Sequence, residues 1–386
     1  MTNLLYNQSS YIKVFSATVL TCEPSERSGQ YAVTLDRTAF FPEQGGQYAD
    51  TGLLGGVRVL DVQLSDGVAV HTLEAPLVPG DVVEGVLDWE TRYDRMQNHT
   101  GEHLVSGCIH AMFGYDNVGF HMNDELLTLD TSGELSTEQL LAVERRANEA
   151  VFANVPVEVT YPAPQMLETM EYRAKLELTE DVRIVTIPGW DACACCAPHV
   201  ASTGEVGLIK ITDAIRYKGG MRITLKCGRR ALADYECKQE VLSAIAIALS
   251  AKPEEAYDAF LRQQNVIAEQ KTALLRLKKE LLAYRLASLA PTEGNLCVFE
   301  PDADADTLRA IVNAGVEKCG GICAAFSGDD GHGYLFVIGA KQIPLRARAK
   351  EITAALSGRG GGSDQMISGT VRAAEAEIRA YIANFT

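Results

Sequence analysis

Four side chains that could bind one metal ion stand in two pairs, each with a spacing of four residues. His99 and His103 lie in NHTGEH, within a stretch of helical periodicity, so both imidazoles are expected on one face of a helix. Cys195 and His199 lie in CCAPH, which Pro198 is expected to hold as a loop. One thiolate and three imidazoles suit tetrahedral zinc. The separation of 92 positions between His103 and Cys195 is too long for a zinc finger, so the sequence predicts a site inside a folded domain.

Other interpretations of these residues stay open at the level of sequence. The two histidines of NHTGEH could be exposed helix residues, and Cys193 or Cys196 could replace Cys195 as a ligand. A zinc ion with four protein ligands could also be purely structural. Four further histidines lack comparable partners in the sequence and are predicted to be structural or surface residues: His71, His110, His121 and His332.

The segment RTAFFPEQGGQYADTG, from Arg37 to Gly52, combines turn-forming residues with aromatic and polar side chains. Pro42 and the pair Gly45 and Gly46 predict a β-hairpin, because a chain reversal requires their backbone conformations. Polar side chains next to bulky aromatic ones are typical of a pocket that holds a small polar ligand. We therefore predict that this hairpin lines a binding site.

The first part of the chain is predicted to be rich in short strands. Up to about Asp88 they read YAVTLD, VRVLDVQ, VAVHTL and VVEGVLD, with turns between them, which is typical of a small barrel or sandwich. A helix follows in TRYDRMQNHTGEHLVSGCIHAMFG and stops at Gly114, and a capping box from Ser136 to Gln139 predicts a second helix to about Ala153. Further strands at VEVTY, VRIVTI, VGLIKI and MRITLKC make the middle region α+β.

The second part is predicted to begin with helices. From Ala231 to about Leu289 the chain is rich in Ala, Leu, Glu, Lys and Gln, with Pro253 as the interior helix breaker, so one short and one long helix are expected. This coiled-coil-like arm could pair with a second copy in a homodimer or lie on its own chain. Alternating strands and helices then predict a separate α/β domain. The predicted domains of this α+β multidomain chain are 1–88 (small β-barrel), 89–230, 231–290 and 291–386.

Composition limits the functional classes. The 386 residues are 47% hydrophobic and 22% charged, as in globular proteins, and neither a signal peptide nor a membrane span is predicted, so we expect a soluble cytoplasmic protein with reduced cysteines. The net charge of −16 disfavours indiscriminate polyanion binding. A basic stretch nevertheless favours a selective RNA contact, or a solvated surface. Its basic residues are Lys210, Arg216, Lys218, Arg222, Lys226, Arg229 and Arg230.

The order of the motifs along the chain resembles the editing half of alanyl-tRNA synthetases. The motifs are Thr38 with PEQGGQYADTG, then NHTGEH, CCAPH, a helical arm and GRGGGSD. They also resemble the freestanding AlaX-type editing proteins, especially the long form that keeps the synthetase's C-terminal domain. The resemblance implies zinc ligands at His99, His103, Cys195 and His199. This chain departs from the family's usual Cys-Gly-Gly-Thr-His and His-Thr-Ala, since it has Cys195-Cys196-Ala197-Pro198-His199 and His99-Thr100-Gly101.

The same resemblance implies an activity. It implies a zinc-dependent, ATP-independent hydrolase that acts in trans and removes serine, with glycine as a second candidate, from mischarged tRNA(Ala), and so supports translation fidelity. His99, His103 and Cys195 would be catalytic. Thr38 and Gln47, with Gly45 and Gly46, would line the amino-acid pocket and detect the serine hydroxyl. The tRNA would be held by Arg216, Lys218, Arg359, Gly360, Gly361 and Gly362. The last four belong to GRGGGSD, which is expected to be a glycine-rich loop that approaches the ribose-phosphate backbone closely or, alternatively, a plain turn.

Two other classes of function fit the same sequence. One is a non-catalytic tRNA-binding protein with a structural zinc. The other is a zinc esterase that acts on small molecules. No phosphate loop, G-x-S-x-G nucleophile elbow or Asp-His-His triplet competes with the candidate zinc site.

Overall fold

The computed structural model describes residues 1–25, 27–174 and 182–386, and these form two compact units, Met1–Ile245 and Ala246–Thr386. Within the described residues the chain is a mixed α and β protein with several sheets and eight α-helices, as the prediction of an α+β multidomain chain requires. The division between the units falls inside a helix, and the four domain ranges inferred from sequence stay predictions. No helix in the described ranges is long and apolar enough to cross a membrane.

The first unit begins with a ring of strands. Six of them hydrogen-bond in the order β2-β3-β7-β6-β5-β8, and because β8 also pairs with β2 they form a closed barrel. Its core is formed by alternate residues of each strand, such as Val33 and Leu35. The four strands predicted in this part of the sequence are present. The strands are β1 (Asn3–Leu4), β2 (Val14–Pro24), β3 (Tyr31–Leu35), β4 (Arg37–Thr38), β5 (Gly52–Leu54), β6 (Val57–Ser65), β7 (Val68–Leu73) and β8 (Val82–Leu87).

A long helix, α1 (Trp89–Phe113), follows the barrel. The Asp88 carboxylate accepts a hydrogen bond from the Thr91 backbone N–H at its start, and Gly114, with φ 72°, ends it in the left-handed conformation. This confirms the predicted helix and its stop. The predicted capping box at Ser136 is also present, at the start of α2 (Thr137–Ala153).

Helices α1 and α2 pack with a four-stranded sheet around the largest apolar core of this unit. The sheet has the order β14-β15-β10-β9, and a three-stranded sheet has the order β11-β12-β13. The sequence did not predict β9 and β10. The further elements are β9 (Asn117–Met122), β10 (Leu127–Thr131), β11 (Glu158–Thr160), α3 (Pro164–Leu167), β12 (Ile184–Ile187), β13 (Asp191–Ala194), β14 (Ile209–Tyr217) and β15 (Gly220–Cys227).

The predicted short and long helices of the arm are present as α4 (Arg229–Ala248) and α5 (Ala256–Ser288), with Pro253 in a short 3-10 turn between them. Most of α5 is exposed. Its C-terminal end is stabilised by Lys318, whose ammonium donates to the backbone carbonyls of Leu286 and Leu289. A cation at this end also interacts favourably with the helix dipole.

The second unit ends in a five-stranded sheet with the order β16-β17-β18-β20-β19, covered by helices. The glycine run was predicted as a loop, or alternatively a plain turn, and both expectations are wrong because Arg359–Gly362 is an edge strand paired with its neighbour. The elements are β16 (Leu296–Phe299), α6 (Ala305–Gly315), β17 (Ile322–Asp329), β18 (Gly333–Ala340), α7 (Leu345–Ala355), β19 (Arg359–Gly362), β20 (Met366–Val371) and α8 (Glu375–Ala383).

Candidate metal centre

Two distant segments meet at the predicted metal site. Helix α1 supplies His99 and His103 from one face, and the chain that leaves β13 supplies Cys195 and His199. One ligand atom of each residue lies within 4.8 Å of the others, and the three histidines are buried. The helix and loop placements were predicted correctly. Metal binding by these residues stays a prediction.

Each of the three imidazoles uses its Nδ1 atom for a hydrogen bond to a neighbouring side chain. Carbonyl and carboxylate oxygens only accept, so His99 and His103 carry their proton on Nδ1. Such bonds fix the orientation of a metal-binding imidazole and leave Nε2 available. The partners are Gln47 Oε1 for His99 at 2.9 Å, Asp191 Oδ2 for His103 at 3.0 Å and Thr100 Oγ1 for His199 at 3.0 Å.

The Nε2 atoms and the thiol have the spacing that a tetrahedral metal requires. The Cys195 Sγ atom lies 3.6 Å from Nε2 of His99 and 3.4 Å from Nε2 of His199. With Zn–S near 2.3 Å and Zn–N near 2.0–2.1 Å, tetrahedral angles separate sulfur from nitrogen by about 3.6 Å. The donor set and its spacing therefore fit zinc.

The charges around Cys195 favour the thiolate. Burial raises the pKa of this thiol, but the imidazoles of His99 and His199 and hydrogen bonds from His103 and His199 outweigh burial and hold the pKa well below its usual range. Burial, together with the nearby His103 and His99, outweighs the attraction of Cys195 and lowers the pKa of His199 to about 3, which favours the neutral form of this ring. A thiolate with neutral imidazoles is the protonation state that binds metal.

Asp191 links the site to a partly buried arginine, Arg173. The side chain of Asp191 is 2% exposed and accepts from His103 and also from Arg173, whose Nε and Nη2 atoms lie 2.8 and 2.9 Å from the two carboxylate oxygens. Burial raises the pKa of this carboxyl, but His103 and Arg173 lower it below its usual range. Asp191 therefore stays ionised and keeps the His103 ring in one orientation. A cavity of about 990 Å³ lies beside these residues, lined in part by Asn117, Arg173, Trp190, Asp191 and Cys193.

The loop that carries Cys195 and His199 is held by Arg183. The guanidinium Nη1 of Arg183 donates to the backbone carbonyls of Cys195 at 2.7 Å and Ala197 at 2.9 Å. The backbone N–H of Val200 donates to the Thr100 hydroxyl at 3.3 Å. These bonds fix both ends of the CCAPH loop.

The tip of the predicted hairpin touches the site from the barrel side. Gly45 and Gly46 have φ values of 65° and 84°, and the backbones of Gln44 and Gln47 exchange hydrogen bonds of 3.1 Å, so a tight two-residue turn is present as predicted. The segment is not a long hairpin, however, because β4 pairs in parallel with β1. A Cβ atom on Gly46 would lie 2.7 Å from the Phe120 carbonyl oxygen.

Phe120 connects this turn to the metal site, since its ring centroid lies 4.7 Å from that of His99. On the other side, a Cβ atom on Gly45 would lie 3.3 Å from Cys196 Sγ. Gln47 is fully buried, and its Nε2 has no hydrogen-bond partner within the described part of the chain. The turn therefore brings one buried amide donor to the candidate site.

Two buried arginines of α1 fasten the same segment to the helix that carries the histidines. Arg92 forms an ion pair with Asp50 and donates to the Ala39 carbonyl at 2.7 Å. Arg95 donates to the Ala49 carbonyl. Asp50 also accepts from the Phe41 backbone N–H at 2.7 Å. One helix thus positions both the candidate ligands and the glycine turn.

The other predicted site residues lie elsewhere. Thr38 is buried in the barrel, where its hydroxyl bonds to His71 Nε2. Arg216, exposed on β14, pairs with Glu134, and Lys218 lies in the turn to β15 with φ 47°. Arg359, Gly360, Gly361 and Gly362 belong to β19 of the second unit. Within the first unit, the structure therefore joins Gln47, Gly45 and Gly46 to the ligand cluster.

Sequence reasoning missed several residues that hold the ligands in place. Asp191 had a usable signal, because residues 191 and 193 alternate along a short strand that leads directly into Cys195. Thr100 lies between the two histidines of NHTGEH. Arg92, Arg173 and Arg183 have no local pattern, since each bonds to a segment distant in sequence.

Two family models match parts of the chain. The model described as "Threonyl and Alanyl tRNA synthetase second additional domain" matches residues 182–224, which include Cys195 and His199. The model described as "tRNA synthetases class II (A)" matches residues 3–91, the barrel and its glycine turn. The barrel and the candidate metal loop are therefore related to domains of tRNA synthetases.

The full-length relatives narrow this class. The chain is 27% identical to "Alanyl-tRNA editing protein Aarsd1" of Mus musculus, over 99% of this chain and 97% of that protein. It is 30% identical to "Alanine--tRNA ligase" of Pyrococcus abyssi, over 96% of this chain and 42% of the ligase, and 30% identical to that of Ignicoccus hospitalis, over 80% and 36%. The predicted resemblance is confirmed: the chain is similar, along almost its whole length, to alanyl-tRNA editing proteins, and it spans less than half of the ligases.

Among solved structures, the "C-Ala domain from Aquifex aeolicus alanyl-tRNA synthetase" matches with 18% identity over 22% of this chain and 85% of that chain. The TM-score of 0.20 is too low to support a conclusion about the fold.

Proposed function

We propose that the protein hydrolyses the ester that joins serine to the terminal ribose of mischarged tRNA(Ala), with glycine as a second substrate. The observation that carries this proposal is the convergence of His99, His103, Cys195 and His199 beside Gln47, a buried amide with an unpartnered donor. The similarity to alanyl-tRNA editing proteins over 99% of the chain supports it. Water would supply the hydroxyl of the released amino acid, and the ribose would leave as an alcohol.

The metal would be held by His99, His103, Cys195 and His199, and a zinc ion there would polarise the ester or a water molecule, an effect worth several kcal/mol in general. Gln47 has two tasks in this proposal. Its Oε1 keeps the His99 ring in place, and its Nε2 donates to a substrate oxygen. An unpaired buried donor costs about 1–3 kcal/mol, so a substrate that accepts this hydrogen bond is favoured.

Selection of serine would follow from hydrogen bonding rather than size. A pocket with a group that pairs with the serine hydroxyl rejects alanine, since alanine leaves that buried group unpaired. Thr38 is the candidate for this contact, together with Gln47. We expect Thr38→Val to lower the ratio of kcat/KM for Ser-tRNA(Ala) over Ala-tRNA(Ala) by about tenfold, because one hydrogen bond of about 1 kcal/mol or slightly more is lost. An unchanged ratio would make this residue part of the scaffold.

The tRNA would be held by exposed groups in both units. Arg216 and Lys218 are exposed on the first, and the backbone and Arg359 side chain of β19 are exposed on the second. The net charge of −16 disfavours binding of a polyanion, so tRNA binding would depend on such local basic groups rather than on the overall charge.

The deciding measurement is a deacylation time course with Ser-, Gly- and Ala-tRNA(Ala), together with the zinc content of the protein. His103→Ala and Cys195→Ala should abolish hydrolysis of Ser-tRNA(Ala) and release zinc. Cys196→Ala is the matched control, because it removes a neighbouring thiol that is not in the four-residue cluster. Full activity of a metal-free His103→Ala, Cys195→Ala double variant would refute the role of zinc.

One observation favours a second candidate, a non-catalytic tRNA-binding protein with a structural zinc. Four protein donors complete the tetrahedral coordination of an ion, as in closed structural sites. This candidate predicts one bound zinc and measurable tRNA affinity without hydrolysis of any of the three substrates. The same time course therefore separates the two functions.

We also propose that the arm forms a homodimer. Large apolar side chains are exposed along α5, among them Leu274, Leu277 and Leu281, each more than 50% exposed. Pairing with a second copy would remove them from water. Leu274→Asp with Leu281→Asp should halve the mass measured by analytical ultracentrifugation, and a wild-type monomer would exclude the dimer.

A further inference from the structure

A hydrogen-bonded pair inside the barrel has a defined proton arrangement. Thr38 and His71 are both fully buried, and Thr38 Oγ1 lies 2.8 Å from His71 Nε2. The other ring nitrogen, Nδ1, lies 3.2 Å from the carbonyl oxygen of Val33. The Phe40 backbone N–H donates to Thr38 Oγ1 at 3.1 Å. Every partner in this chain of bonds is therefore identified.

The chemistry of these partners fixes the direction of each bond. The Val33 carbonyl can only accept, so Nδ1 of His71 carries a proton and donates it. Burial lowers the pKa of His71 to about 4, so at neutral pH the ring is uncharged and its Nε2 has no proton. Nε2 must then accept, and the Thr38 hydroxyl donates to it.

This direction limits what Thr38 can offer to any other group. Its single hydroxyl proton is used by His71, and one lone pair is used by the Phe40 N–H. Only an acceptor lone pair remains. A ligand that meets Thr38 must therefore bring a hydrogen-bond donor.

We propose that His71 is a positioning residue that determines specificity: it accepts the Thr38 hydroxyl proton, so that Thr38 pairs only with an amino-acid side chain that donates a hydrogen bond, as the serine hydroxyl does and the alanine methyl group does not. This inference rests on the proposed function. It assigns a role to a histidine that belongs to the barrel and not to the ligand cluster.

The position of Thr38 agrees with such a role. Its parallel pairing partner in β1 is Leu4. Leu4 packs against the small cluster of Tyr6, Phe41 and Ala197, which Cys195 also contacts. Thr38 is thus one strand away from the apolar cluster that contacts Cys195, and its hydrogen-bond partner His71 lies in β7.

Two substitutions of His71 distinguish the hydrogen bond of Nε2 with Thr38 from the hydrogen bond of Nδ1 with Val33. In His71→Gln the side-chain carbonyl can occupy the Nε2 position and accept from Thr38. In His71→Asn the shorter amide can still donate to Val33 but no longer reaches Thr38. The proposal predicts that His71→Asn lowers the Ser-over-Ala ratio of kcat/KM by about tenfold, the loss of one oriented hydrogen bond. His71→Gln should retain the ratio to within about threefold.

A double-variant cycle with Thr38→Val tests whether His71 acts through Thr38. In the Thr38→Val background, His71→Asn should cause no further change in the ratio, since the hydroxyl that it orients is absent. A merely structural histidine would lower kcat/KM for both substrates equally and would add to Thr38→Val. Thermal unfolding and zinc content of each variant serve as controls for folding.

A measurement on the wild-type protein does not depend on folded variants. The ¹⁵N chemical shifts of the His71 ring at neutral pH should show a protonated Nδ1 and an unprotonated Nε2. A proton on Nε2, or an unchanged ratio in a folded His71→Asn protein that hydrolyses Ser-tRNA(Ala), overturns the role of His71 alone. Absence of hydrolysis by the wild-type protein overturns the proposed function, and the specificity role with it.

Discussion

Two glycine-rich segments of this chain look alike in sequence and differ in structure. EQGGQ was expected to be the turn of a β-hairpin and GRGGGSD a loop, and each was expected to approach a ligand closely. Gly45 and Gly46 do form a tight turn, with φ values of 65° and 84°, against the candidate metal site. Gly360, Gly361 and Gly362 form the extended edge strand β19 instead. The physical reason why glycine occupies these positions therefore differs between the two segments.

In the turn, glycine is required by backbone conformation, because a residue with a Cβ atom is strained at positive φ. In β19 the backbone is extended, and the reason is the close approach of neighbours. A Cβ atom on Gly360 would lie 2.5 Å from the Ser368 carbonyl oxygen and 2.9 Å from a ring carbon of Phe336, whereas one on Gly361 would meet nothing within 4 Å. Substitution of glycine by alanine should therefore change the free energy of unfolding differently in the turn and in β19.

The largest effect is expected where the turn segment is anchored. Asp50→Asn breaks the buried ion pair with Arg92 and leaves a buried charge without its partner, which should lower the free energy of unfolding by about 3–5 kcal/mol. Denaturant unfolding measures this change. The control is Glu149→Gln, which breaks the exposed pair with Arg146 and should cost less than about 1 kcal/mol. Equal costs would show that Asp50 does not anchor the turn.

The next-largest effect on stability distinguishes a steric clash of an added Cβ atom from backbone strain at positive φ. Gly46→Ala combines positive φ with a contact of 2.7 Å to the Phe120 carbonyl, and should cost about 3 kcal/mol and reduce zinc affinity, because the ring of Phe120 lies on His99.

Gly56→Ala is its matched control, since φ is 80° and no atom lies within 4 Å of the new Cβ. It should cost only about 1 kcal/mol of strain and leave zinc affinity unchanged. An equal loss of zinc affinity in Gly46→Ala and Gly56→Ala would mean that the contact with Phe120 does not affect zinc binding. Unfolding curves and zinc titrations provide both measurements.

Local pattern explains which features could be predicted from sequence. The helical spacing of His99 and His103 and the capping box at Ser136 depend on neighbours in the chain, and both were correct. The ion pair of Arg92 with Asp50 joins a helix to a segment 42 residues away, so no local pattern marks it. The strand β19 was missed because glycines offer no alternation of apolar and polar side chains.

In the strand, a smaller cost is expected at the crowded position. Gly360→Ala should lower the free energy of unfolding by about 1–2 kcal/mol, since β19 is an edge strand that can shift outward to relieve the contact with Ser368. Denaturant unfolding measures it. A cost as large as that of Gly46→Ala would mean that the edge strand is as rigid as the turn.

The variant with the smallest expected effect on stability tests whether β19 binds tRNA. Gly361→Ala adds a methyl group in open space at an exposed position, so the free energy of unfolding should change by less than about 0.5 kcal/mol. If tRNA lies against this strand, the methyl group separates backbone from phosphate and weakens binding several-fold. Arg359→Ala should reduce the salt dependence of tRNA binding by about one unit of slope, as for one lost phosphate contact. Unchanged tRNA affinity in both variants, measured at fixed ionic strength, would restrict the glycines of β19 to strand pairing and leave the basic groups Arg216 and Lys218 of the first unit as the tRNA contact.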